Sequence, residues 1–114
     1  MAVLKSFRDL DVYKLGREQA KTIFTITKSF PKEETYSLTD QVRRSSRAIN
    51  AMLAEAWARR RYPASFISKV NDALGEAMES QAWFDHALDC AYLDASQYHE
   101  LDEASILHLR SSSG

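Results

Sequence analysis

The sequence predicts an all-α protein: a single-domain, up-down-up-down antiparallel four-helix bundle. Three observations carry that expectation. Turn formers are scarce, with 3 glycines and 2 prolines in 114 residues, whereas an all-β domain of this size needs many turns. Apolar residues recur at steps of three and four rather than in alternation. Three short connections then separate four such stretches, the spacing of an antiparallel bundle. Hydrophobic residues at 45% and charged residues at 27% suit one globular core rather than a disordered chain.

The first helix is expected from about Asp9 to Ser29. Ser6 and Asp9 have capping-box spacing at its start. Val12, Leu15, Ile23, Ile26 and Phe30 mark one face, and Phe30-Pro31 ends it because the residue before proline is driven out of the α region. The second helix is expected over 38–60, with Ser37 and Asp40 as a second capping-box pair. Its seam, Leu38, Val42, Ser45, Ile49, Met52 and Ala56, holds a heptad rhythm. Pro63 fits the first turn of a third helix over 63–91, where its missing N–H needs no partner. Ile67, Val70, Leu74, Ala77, Gln81, Phe84, Leu88 and Ala91 are its expected inner stripe. The fourth helix, over 95–110, opens on the Asp94–Gln97 pair and turns Tyr98, Leu101, Ser105 and His108 inward.

Helices 2 and 3 carry small or apolar residues opposite these seams. Ala51, Ala54 and Ala58 lie on the far side of helix 2, and Trp83, Ala87 and Cys90 on the far side of helix 3. One reading is that alanine merely favours helix and Trp83 leans onto helix 4. The other is a second buried surface, formed by Ala51, Ala54, Ala58, Trp83 and Ala87, and hence a homo-oligomer.

Charge is segregated along the chain. Residues 43–61 hold six arginines (Arg43, Arg44, Arg47, Arg59, Arg60 and Arg61) against Glu55 alone, whereas residues 62–114 hold Lys69 and Arg110 against nine acids. The formal net charge is −1, so overall basicity argues for nothing. Three accounts are open: the basic helix pairs with the acidic ones inside the subunit, it pairs with them between subunits and fixes their register, or its arginines bind phosphates of RNA or DNA. The second account describes a pure assembly or adaptor module with no nucleic-acid role.

Catalytic and cofactor chemistry finds no foothold. A di-iron bundle needs Glu-x-x-His on two helices, and that motif does not occur. His86 and Cys90 are four apart but lack a second cluster, and His99 with Glu103 reads as a contact on a helix surface. There is no glycine-rich phosphate loop or nucleophile elbow, and no histidine has an arginine four to six residues upstream. No enzyme, no cofactor and no metal site is expected. No apolar run nears the roughly 20 residues of a membrane span, the first residues show no signal-peptide core, and one cysteine cannot form an internal disulfide. The expected setting is therefore the cytoplasm, without a membrane partner.

These landmarks resemble one family, the four-helix-bundle proteins encoded within intervening sequences of bacterial 23S ribosomal RNA genes. Phe7, Leu10, Val12 and Tyr13 are similar to its opening pattern. Phe30-Pro31, Glu34, Tyr36, Leu38, Gln41, Arg43 and Arg44 are similar to its most distinctive stretch, and Ala54-Glu55, Arg59, Glu76 and Glu79 follow in order. The chain departs where many members have Asn followed by Ile-Ala-Glu-Gly, carrying Met52-Leu53-Ala54-Glu55-Ala56 instead. The resemblance implies a homopentamer with no established catalytic activity. Relatives among the accessory proteins of diversity-generating retroelements form basic pentameric barrels that bind a reverse transcriptase and nucleic acid.

Overall fold

The computed structural model describes residues 3–105. Four α-helices follow in order: α1 Asp11–Thr27, α2 Leu38–Ala58, α3 Pro63–Asp89 and α4 Ala95–Glu103. No strand occurs among the described residues. The body measures 44 × 26 × 20 Å. At 1.5 Å per residue, α3 alone spans about 40 Å and so sets the long dimension.

Local signals hold where no neighbour competes for the capping groups. Pro63 opens α3, and Asp94 and Gln97 form the capping box of α4. Ser6 and Asp9 also form their capping box, but on a single 3-10 turn, Phe7–Asp9. Leu10 then breaks out of helical geometry with ψ 130, and α1 starts at Asp11. The Ser37–Asp40 box does not form. Ser37 donates its hydroxyl to Glu34 Oε1 (2.5 Å), and that same oxygen accepts the Leu38 N–H at 3.4 Å. Glu34 thus caps α2 in place of Ser37, leaving Asp40 to pair with Arg44. The end of α3 falls at Asp89, earlier than expected. Ala91 takes a left-handed φ of 61°, and the Ala91 and Tyr92 N–H groups return to the Leu88 and Ala87 carbonyls. That pattern closes a helix, although glycine is its usual occupant and offered no warning here. α4 closes at Glu103, with Ala104 as its C-cap, short of the expected end at 110; residues 106–110, His108 among them, lie outside the described residues.

The second carboxylate oxygen of Glu34 accepts from the Tyr92 hydroxyl at 2.9 Å, tying the α1–α2 connection to the α3–α4 connection. The Ser37 and Tyr92 hydrogen bonds hold the Glu34 carboxyl below its ordinary range. The same bond, helped by burial, pushes Tyr92 up to about 12. A tyrosine raised in the folded state stabilises below its unfolded value of about 10 and loses that contribution as pH climbs through the folded value. The stability difference between wild type and Tyr92→Phe should therefore be constant from neutral pH up to about pH 10, and should shrink in acid as Glu34 protonates. It should close between pH 10 and about 12, as followed by urea midpoints.

The α2 seam packs as its spacing predicts: Leu38, Val42, Ser45, Ile49 and Ala56 are buried and Met52 half-buried. On α3 Ala77 and Phe84 are buried as expected, but the buried face is rotated by part of a turn, so that Ala73, Ser80 and Ala87 replace their neighbours Leu74, Gln81 and Leu88. The buried line is Ala73, Ala77, Ser80, Phe84 and Ala87, while Ile67 and Leu88 stay 56% and 36% exposed. Small side chains explain the rotation. Alanine and serine let α2 and α3 approach closely enough for the Ser45 and Ser80 hydroxyls to bond at 2.8 Å, and the larger Val70 and Leu74 stay half-buried beside the contact. Gly16 serves α1 likewise: any side chain there would strike Asn50, whose Nδ2 donates to the Tyr13 carbonyl at 3.3 Å.

Two clusters fill the interior. Ile23, Leu38, Val42, Phe84, Leu93 and Leu101 join all four helices at one end, and Ile49, Leu53, Ala73 and Ala77 join α2 to α3 at the other. α4 docks over the second half of α3, where Gln81 donates to Asp102 and Tyr98 to Asp85, and Gln19 of α1 donates to the Leu101 carbonyl at 2.7 Å.

Candidate nucleic-acid interface

With its seam committed to the core, α2 turns Gln41, Arg44, Arg47, Ala51, Glu55 and Ala58 outward. The six arginines fall into two groups, with Arg59 twelve positions beyond Arg47, a rise of about 18 Å along the helix. At the first group, Arg43 donates Nε–H to Thr27 Oγ1 (2.8 Å) and an Nη2–H to the Phe24 carbonyl (3.4 Å). Arg47 lies nearby, with its Cζ 5.9 Å from the centre of the Phe24 ring. At the second, Arg60 stacks on Trp57 at 4.4 Å and donates to its carbonyl, and Arg59 reaches Ser65. Arg61 and Tyr62 stand exposed beside them.

Carboxylates do not neutralise this face. Among the described residues Arg44 is the one arginine in an ion pair, with Asp40 at 3.7 Å, and both side chains are well exposed. The acid inside the basic segment is taken by a lysine: Glu55 meets Lys69 of α3 at 2.7 Å, and Lys69 also reaches Asp72 at 3.6 Å. The Lys69 hydrogen bond holds Glu55 below its ordinary value, with a weaker pull from Arg59, and Glu55 raises Lys69 in return. On α3, burial and then the neighbouring Glu79 push Glu76 upward. Among the described residues no arginine of this face pairs with a carboxylate of α3 or α4.

The expected second surface is corrected in part. Ala51 and Ala58 are exposed and Ala54 is half-buried. Ala87 is 2% exposed and belongs to the core of its own subunit. Trp83 packs on that same core, with its Nε1 buried and without a hydrogen-bond partner and its ring 6.0 Å from His86. The indole is thus half-buried within its own subunit rather than on the far side of α3.

Sequence reasoning missed two features. The first is an open apolar groove of about 850 Å³, lined by Leu10, Val12, Leu53, Phe66, Val70 and Leu74 with Trp57 and Arg60 also on its wall. Its signal was the Ile67–Val70–Leu74 stripe, which the rotation of α3 leaves beside the α2 contact. The second is the contribution of α1 to the basic face through Phe24 and Lys28. No pattern within α2 could reveal it.

Among the described residues no group of three or more His, Cys, Asp or Glu could hold a metal ion. None of their helices is long and apolar enough to cross a membrane. His99 and Glu103 meet at 3.2 Å as a contact on the α4 surface. Residues 8–109 match the family model described as 23S rRNA-intervening sequence protein. No curated protein matches the chain.

Proposed function

Because the chain belongs to the 23S rRNA-intervening sequence protein family, we propose that it is a non-enzymatic, self-assembling protein whose arginines, on α2 and in the turn that follows it, bind RNA. The observation that carries this reading is that five of the six arginines find rings, hydroxyls, carbonyls or solvent rather than a carboxylate. A cation surface left unpaired by its own subunit suits a polyanion, whose condensed counterions are released on binding. The helices are read as an up-down-up-down bundle. Ser45 meets Ser80 while Glu55 meets Lys69, so partners on α2 and α3 run in opposite order. Self-assembly is supported by the apolar groove, whose lining costs free energy while it faces water, and a ring of five follows the family resemblance. The proposed compartment is the cytoplasm.

The groove also supports the rival reading of a protein–protein adaptor without a nucleic-acid role. Exchanging Arg59, Arg60 and Arg61 together for alanine separates the two. If these residues contact RNA, the slope of log affinity against log salt should fall by about 2, at roughly 0.7 per lost phosphate contact on a single strand. The assembly mass should stay unchanged. Dissociation of the variant, with no RNA binding by wild type, would instead place the arginines between subunits.

A further inference from the structure

The cations around Phe24 form a cluster distinct from the 59–61 run. The ring is 37% exposed and three cations share it: Lys28 Nζ at 4.8 Å, Arg43 Cζ at 4.7 Å and Arg47 Cζ at 5.9 Å from its centre. Attraction to the ring quadrupole holds each of them. Arg43 is fixed further by its bonds to Thr27 Oγ1 and the Phe24 carbonyl, and Thr27 is itself held by donating to the Ile23 carbonyl at 2.7 Å. None of the three cations is ion-paired among the described residues, whereas neighbouring Arg44 is paired with Asp40. Three like charges gathered on one side chain repel one another, and an anion placed among them relieves that repulsion.

We propose that Lys28, Arg43 and Arg47, gathered on Phe24, form a phosphate-binding site that takes the sugar–phosphate backbone of RNA rather than its bases. This rests on the RNA-binding reading above and names what is read at one end of α2. The guanidinium fork of Arg47, the Nη donors that Arg43 keeps beyond its bonds to Thr27 and Phe24, and the Lys28 ammonium supply the charge and donors a phosphate takes. The ring that would otherwise stack a base is already occupied by cations, so the site carries no sequence preference. Phe24 is a positioning residue: it gathers charges and touches no base.

The test compares Lys28→Gln/Arg47→Gln with Lys32→Gln/Arg44→Gln, which removes the same charge close by without touching the ring. Arg43 is left in place because it ties α1 to α2. Binding of two 20-nucleotide single-stranded RNAs of different composition is followed across a salt series. The first variant should lose about 1.4 from the salt slope and the second less than half of that, with both RNAs bound equally throughout. Equal losses in the two variants, or a preference between the RNAs that disappears in the first, would overturn the site while leaving RNA binding intact. If wild type binds neither RNA, the functional reading fails and inorganic tripolyphosphate decides the site. A melting temperature raised over chloride at equal ionic strength in wild type, and not in Lys28→Gln/Arg47→Gln, would uphold it. Equal shifts would end it.

Discussion

Replacing Phe84 with alanine is expected to remove about 4 kcal/mol of stability and to lower the thermal midpoint by roughly 15 °C. Phe84 is 2% exposed and is the largest fully buried side chain. It shares a cluster with Ile23 of α1, Leu38 and Val42 of α2 and Leu101 of α4, so its loss opens a void that all four helices border. Collapse onto that void is resisted on two sides, by the Glu34–Tyr92 bond and by Gln19 on the Leu101 carbonyl. A drop under 1 kcal/mol in chemical denaturation would mean that the four helices do not meet at this ring.

Ile67→Glu should separate the proposed assembly without unfolding its subunits. Ile67 lies beside the groove and is 56% exposed, so a carboxylate there is fully hydrated in the isolated subunit. Once a second copy covers the groove, that charge loses water and gains no partner, a penalty of about 3 kcal/mol or more. Association should weaken on the order of 100-fold. Light scattering should then give the 13.0 kDa subunit mass at concentrations where wild type is several times heavier, with helical content by circular dichroism unchanged. Wild type at 13.0 kDa at every concentration would remove the assembly, and an unaltered mass for the variant would move its contact elsewhere. The same substitution at Trp83 is a poorer probe, because that indole already packs on the core of its own subunit.

How much of this was legible in the sequence depended on the range of each interaction. Pro63 and the Asp94–Gln97 pair act within one turn, and both open helices as read. The α2 seam was legible because its large apolar residues leave one face to bury. On α3 Ala77 and Phe84 were legible and are buried, but Ala73 and Ser80 were not, because they win the contact by being small, while periodicity gives weight to large residues such as Ile67 and Leu88. Ser37 and Asp40 have the right spacing for a cap but lose to Glu34, which arrives from the preceding turn already bonded to Tyr92. The basic segment itself was plain. What stayed hidden was that Phe24 and Lys28, 15 to 23 positions from Arg43 and Arg47, meet them across the α1–α2 contact.

The central claim is that α2 presents cations left unpaired within the subunit to a polyanion. Binding of wild-type protein to a 20-nucleotide single-stranded RNA, measured from 50 to 300 mM salt, tests it most directly. With Lys28, Arg43, Arg47 and the three arginines at 59–61 each meeting one phosphate, log affinity should fall linearly with log salt at a slope of about −4. Binding absent at micromolar protein, or indifferent to salt, would contradict the account.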